Sequence, residues 1–173
     1  VYFGWPAPLT GTREYRALRF ATDALIDRLR LQLREERGAT YAPGGGVDRA
    51  IWQPDFGYTW LRLGFDPTQS RKLAELVNRL ADELARRGLT EEEFARLAVP
   101  LRAQAAEDLR TNTWWLQQVL LYAQTQPGVL ADARSHLRDF TELTRAEVNR
   151  AAADHLRLAN SNGIGAAPAA ARK

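Results

Sequence analysis

Tyr15, Leu18, Ala21, Leu25, Leu29 and Leu33 recur at steps of three and four residues. That spacing puts them on one face of an amphipathic helix, which the pattern extends over residues 12–37. Gly38 stands where a left-handed capping glycine belongs. Ahead of the helix, Val1-Tyr2-Phe3-Gly4-Trp5 reads as a strand, and Pro6 and Pro8 break its pattern. Behind it, two more strands are predicted. One covers residues 39–52, with Pro43 and Gly44-Gly45-Gly46 inside it. The other covers residues 56–65, where Leu61, Leu63 and Phe65 alternate with Tyr58, Trp60 and Arg62. Gln53-Pro54-Asp55 between them is turn chemistry, so the pair makes a hairpin. Asp66-Pro67 closes the second strand and opens the next helix, proline fitting a first helical turn.

From there the pattern is helical. Leu73, Leu76, Val77, Leu80 and Leu84 line one face of a helix that stops at Gly88. Thr90-Glu91-Glu92-Glu93 is a capping box, followed by the apolar positions Phe94, Leu97, Leu101 and Leu109. Helices follow near residues 113–125 and 127–140. A second capping box, Thr144-Arg145-Ala146-Glu147, starts a helix that ends near Leu158, and a short last strand is placed at residues 163–167. Strand, helix, hairpin and a helical run closed by a strand define an α+β class: a two-layer sandwich of a mostly antiparallel sheet packed against several helices. No internal repeat or linker divides the chain, so residues 1–173 are expected to form a single domain with a frayed tail at 168–173.

Composition narrows the function. At 173 residues, 45% of them apolar, the chain can bury a sizeable core. No apolar run approaches the ~18 residues of a membrane-spanning helix. Methionine is absent and the first residues already form a strand, so a piece of a longer chain is expected. Cysteine is absent too, which excludes disulfides, thiolate metal sites and cysteine nucleophiles. The formal net charge is +3, and lysine occurs only at Lys72 and Lys173. The arginines alternate with acids, as in Arg13-Glu14, Asp27-Arg28 and Arg34-Glu35-Glu36-Arg37. That is the look of a solvated helix face, and neither a nucleic-acid nor a membrane partner is expected.

No complete active site stands out. His136 and His155, the only histidines, lie on different predicted helices and in no H-E-x-x-H or H-x-x-E-H frame. They read as surface or helix-packing residues, and no metal is expected on this chain. Ser70, Ser135 and Ser161 lack a nucleophile frame. The run Gly44–Gly46 lacks the lysine end of a phosphate loop, and reads as a bulge or a close backbone approach in a strand. Trp114-Trp115 reads as one buried and one half-exposed ring. The Asp and Glu pairs all look like surface helix pairs.

The segment Leu33-Arg34-Glu35-Glu36-Arg37-Gly38-Ala39-Thr40-Tyr41 resembles a stretch of the C-terminal domains of pitrilysin/insulinase-type peptidases. In order along the chain, Gly4-Trp5-Pro6-Ala7-Pro8, Phe65-Asp66-Pro67, Gly88-Leu89-Thr90-Glu91-Glu92-Glu93-Phe94, Arg110-Thr111-Asn112-Thr113-Trp114-Trp115-Leu116 and Leu143-Thr144-Arg145-Ala146-Glu147-Val148 fit the same family. The resemblance implies the zinc-free half of a zinc metalloendopeptidase. Its zinc belongs to an N-terminal domain of the same fold, on the same chain or a partner subunit, held by an inverted H-x-x-E-H motif absent from this sequence. It further implies that Arg34 and Tyr41 match the arginine and tyrosine with which the C-terminal domain binds peptide substrate and helps stabilise the reaction. Arg34 falls in the last turn of a helix and Tyr41 at the start of a strand, so both can project near one sheet edge. The alternative is an inactive family-like module that binds peptide or a partner subunit. The resemblance offers the bacterial periplasm as a guess at the compartment.

Overall fold

The computed structural model describes residues 2–9, 11–35, 43–49, 56–64 and 69–164. Strand β1 (Tyr2–Ala7) leads into the long helix α1 (Thr12–Glu35), and the hairpin strands β2 (Gly44–Arg49) and β3 (Gly57–Arg62) follow. Helices α2 (Ser70–Arg87) and α3 (Glu91–Asp108) come next. A helical turn α4 (Asn112–Trp114) continues into a π-helical segment (Trp115–Leu120), then α5 (Val129–Glu142), α6 (Arg145–His155) and β4 (Asn162–Ile164) complete the order. The strands form one antiparallel sheet in the order β2-β3-β1-β4. This is the expected α+β arrangement of an antiparallel sheet and helices.

Alternation decides which face of the sheet is covered. Phe3, Trp5 and Ala7 of β1, Val47 of β2 and Leu61 of β3 are buried in one core with Leu18, Leu25, Leu29 and Leu33 of α1. Helix α1 also packs against α6, whose Val148, Ala151 and Ala152 join that core together with Leu73, Leu76, Val77, Leu80 and Leu84 of α2. The periodicity therefore identifies the buried faces of α1 and α2 correctly. Both capping boxes are formed: Thr90 and Thr144 each accept from the backbone of a glutamate three residues on, Glu93 and Glu147, which reaches back to the cap. Helix α2 ends at Gly88 with φ of +71°, the left-handed region that glycine enters without a Cβ penalty.

Several expectations need correcting. Strand β1 runs through Pro6, which sits opposite Tyr58, instead of breaking there. Strand β4 pairs only with Tyr2, Phe3 and Gly4, so beyond Gly4 that side of β1 has no described neighbour, and a residue without an N–H costs no ladder bond there. The predicted helix over 113–125 is instead a short α-turn followed by a π-helical segment and turns.

The arginine–acid pattern of α1 is not simply a solvated face. Arg13 binds Glu147 and the carbonyl of Glu142, Arg28 binds Glu93 and the carbonyl of Gly88, and Asp27 takes Arg96 at 2.7 Å. Arg16, only 3% exposed, is paired with buried Asp139 and also donates to Ser135 and the carbonyl of Asp132. Each pair ties α1 to another helix, and their partners lie 65 to 134 residues away in sequence. The acid pairs are thus not all surface pairs within one helix. Asp139 is held in the interior because a buried carboxylate needs a hydrogen-bonding cation.

Candidate functional site

The direction of α1 over the sheet fixes where its last turn lies. Arg49, at the end of β2, donates to the carbonyl of Gly11 at 2.7 Å and sits 4.5 Å over the Tyr15 ring. Ile26, more than two turns further along α1, packs against Gly45 near the start of β2. The helix and β2 therefore run in opposite directions. Arg34, two turns past Ile26 and so ~12 Å further on, lies toward the end of the sheet where β2 begins. Gly44 and Arg62 face one another in the same cross-strand row, and Arg62 pairs on with Tyr2.

Arg34 is exposed in the last turn of α1, where a cation also complements the helix dipole. Arg30, one turn earlier, is exposed on the same flank. Neither has an ion pair among the described residues. Asp23 on that flank is engaged by Arg19 at 3.2 Å. Tyr41, the other residue singled out by the resemblance, lies outside the described residues, as do Gly38 and the Asp66-Pro67 step.

Next to this end of α1 lies β2, the edge strand of the sheet among the described residues. Strand β2 pairs with β3 alone, and no described residue pairs with its other side. Of the two readings of the glycine run, a bulge or a close approach, the second holds: the run makes a close approach inside a regular ladder. A Cβ on Gly45 would come within 2.6 Å of the Trp60 carbonyl oxygen and of Leu61 Cδ2, and 3.1 Å from Ile26 Cδ1. Gly46 lies under the Trp60 ring, which leaves no comfortable space for a side chain. Gly44 has nothing within 4 Å. Glycine at 45 is what lets α1 come down onto the edge strand.

The remaining candidates are occupied by packing. His155 is buried against Glu14 at 2.9 Å between α6 and α1. His136 binds Asp108 at 3.0 Å, and its ring lies 4.8 Å from that of Trp114 and 5.4 Å from that of Phe140. Burial pushes the His136 imidazole below its ordinary pKa, against the opposing pull of Asp108. Trp114 and Trp115 are both half-buried and meet edge to face, and the Trp115 indole donates to the carbonyl of Leu109. Ser135 serves Arg16. Among the described residues no group of three or more His, Cys, Asp or Glu side chains is arranged to hold a metal ion. Both histidines are already committed, so this set does not fit zinc. No helix of the described residues is long and apolar enough to cross a membrane.

The model of the peptidase M16 inactive domain matches residues 1–98. Among the curated proteins, none matches the chain. A candidate M16-like peptidase from Alicyclobacillus acidocaldarius superposes with a TM-score of 0.72 at 20% identity, over 92% of this chain and 38% of that one. The peptidase M16 inactive domain from Pseudomonas fluorescens gives 0.68 at 21% identity, over 92% and 38%. The inactive peptidase domain of a candidate zinc protease from Bordetella parapertussis gives 0.71 at 14% identity, over 93% of this chain and 88% of that one. The chain thus spans 38% of the length of the Alicyclobacillus and Pseudomonas chains.

Proposed function

The chain belongs to the family of the peptidase M16 inactive domain, and from that membership we propose that it is the non-catalytic half of a zinc-dependent endopeptidase. Zinc, its activated water and the base come from an N-terminal domain on the same chain or a partner subunit, and peptides are the substrates. The observation that carries the reading is the placement of Arg34. It stands exposed at the end of a helix whose other face is locked into the core, without an anionic partner among the described residues, beside β2, the edge strand of the described sheet.

A guanidinium fixed there can grip a substrate carboxylate or carbonyl with two N–H groups in a fork. Tyr41, seven positions further along the chain, can donate its phenol hydrogen to the oxyanion that develops as a peptide carbonyl is attacked. One such donor is worth about 10²–10³ in turnover. The helix supports that role because Leu29 and Leu33 hold its last turns in the core. A charged group on a rigid support needs little reorganisation when substrate arrives.

The test is reconstitution. The pure chain with zinc and a peptide substrate is expected to give no cleavage. Adding the zinc-bearing half, identified by an H-x-x-E-H motif in the same or an adjacent reading frame, is expected to give cleavage that depends on both parts. Metal-dependent turnover by the pure chain, or full activity of the zinc-bearing half without it, overturns the proposal.

A further inference from the structure

We propose that the π-helical segment Trp115–Leu120 and the residue after it form a face on which a second copy of this chain docks, through Leu116, Leu120 and Leu121 about a two-fold axis. This goes beyond the reading above and does not depend on it.

Three observations converge on it. The first is exposure. Leu116, Leu120 and Leu121 are 58%, 57% and 67% exposed, while Val119 among them is buried and anchors the segment. They lie inside the unbroken described stretch 69–164. Neighbouring leucines left in water mark a surface that another apolar surface covers. The second is the backbone. In an α-helix Leu121 would fall ~140° around the axis from Leu116. Here the Leu121 N–H donates to the carbonyl of Leu116 at 3.1 Å, an i→i+5 bond. The wider turn stacks Leu121 over Leu116 and sets Leu120 beside it. Such π segments are frequent at functional sites, and this one gathers leucines that a regular helix would spread.

The third is charge. No residue from Thr111 to Ala131 is charged, in a chain where 26% of residues are. The exposed face of α2, by contrast, carries Arg71, Glu75, Arg79 and Arg86. Loss of charge with aromatic rings nearby is the mark of an interface centre, and Trp115 and Tyr122 are half-buried in the same segment. A neutral face suits a second copy in particular. About a two-fold axis a patch meets itself, so a charge near the axis would meet its like. Without Lys or Arg the face also has nothing to hold an anionic membrane. Its place leaves the candidate site free. Arg28 and Asp27 of α1 hold the start of α3, so α3 runs back toward the start of α1 and the π segment follows its end. Asp132, at the start of α5, binds Thr12. Arg34 is ~33 Å along α1 from Thr12, so a second copy here and a zinc-bearing half at Arg34 do not compete.

Sedimentation equilibrium of the chain tests the proposal. The mass is expected to rise from 19.5 kDa toward twice that value as concentration goes from about 1 to 100 µM. Leu116→Glu with Leu120→Glu sets like charges against each other across the axis and is expected to weaken association about tenfold or more. A second measurement keeps the face apolar. The chain has no cysteine, so Leu120→Cys carries a single thiol. A short bismaleimide is expected to join two copies through it, and to leave Arg79→Cys on α2 unjoined. A monomer throughout that range, a dimer that ignores both glutamates, or equal joining of the two thiols overturns the proposal. So does a chain that stays monomeric while the zinc-bearing half, or vesicles of neutral lipid, shields the Leu120→Cys thiol from maleimide; the face then belongs to that partner.

Discussion

Replacing Gly45 with alanine adds a single methyl group where α1, β2 and β3 meet. The new Cβ would lie 2.6 Å from a backbone oxygen of the opposite strand and from a Leu61 methyl, and 3.1 Å from the Ile26 terminal methyl. Ordinary carbon contacts are ~3.5–4.0 Å, so at least two neighbours must retreat by most of an ångström. Leu61 is fully buried and cannot swing into solvent, and the carbonyl of Trp60 is fixed in the sheet. Overpacking of this kind costs about 1–3 kcal/mol, offset by the ~0.4–1 kcal/mol that Gly→Ala gains by restricting the unfolded chain. The net loss is about 1–2 kcal/mol. For a chain of this size that lowers Tm by about 3–8 °C. Gly44→Ala is the internal control. Its Cβ meets nothing within 4 Å and its φ is not positive, so it should be neutral or slightly stabilising. Calorimetry or urea melts of the two variants decide the matter. A Gly45→Ala melt within about 0.5 kcal/mol of the parent, or a larger loss in Gly44→Ala, would refute the close approach of α1 to the edge strand.

Two further expectations follow from the junctions that hold the helices. Gly88→Ala forces a left-handed residue to carry a Cβ that would lie 2.5 Å from the Asn149 amide, whose oxygen accepts from the Leu89 N–H at 2.8 Å. Strain and the displaced acceptor together predict a loss of about 2–4 kcal/mol in a urea melt; a loss under about 1 kcal/mol would show that the junction relaxes freely. Glu147 is held down to about 2, mainly by its hydrogen bond from Arg13 and then by the Thr144 cap. Its folded pKa lies below the unfolded one, so its contribution is present above pH ~4.5 and is lost as pH falls toward about 2. Because the side chain is 37% exposed, screening cuts that contribution to about 1 kcal/mol. Glu147→Gln should be less stable than the parent at pH 7, with the gap closing on acidification; a gap that is constant from pH 7 to 3 would contradict the linkage.

What can be seen in the sequence is local chemistry. The capping boxes at Thr90 and Thr144 are written in four consecutive residues, and the buried faces of α1 and α2 in steps of three and four. The hairpin follows from the alternation in β3. What escapes a sequence reading depends on partners distant along the chain. Arg16 looks like any surface arginine until α5 brings Asp139 to it, 123 residues later. Pro6 signals a break because the sequence does not tell that β4 leaves that side of β1 unpaired beyond Gly4. The π-helical segment at Trp115–Leu120 has no sequence signature of its own, and it arises where the Trp114–His136–Phe140 cluster packs α4 against α5. At the candidate site, Arg34 comes from the family resemblance, whereas the edge strand beside it comes only from strand order.

Steady-state kinetics of Arg34→Ala in the assembled peptidase bear most directly on the claim that this domain completes an active site whose zinc lies elsewhere. A fall of about a hundredfold or more in kcat/KM is expected, with zinc content and thermal stability unchanged, since Arg34 is exposed and makes no ion pair among the described residues. A kcat/KM within about twofold of the parent, less than a lost hydrogen bond to a reacting charge would cost, would contradict it and leave the domain a scaffold.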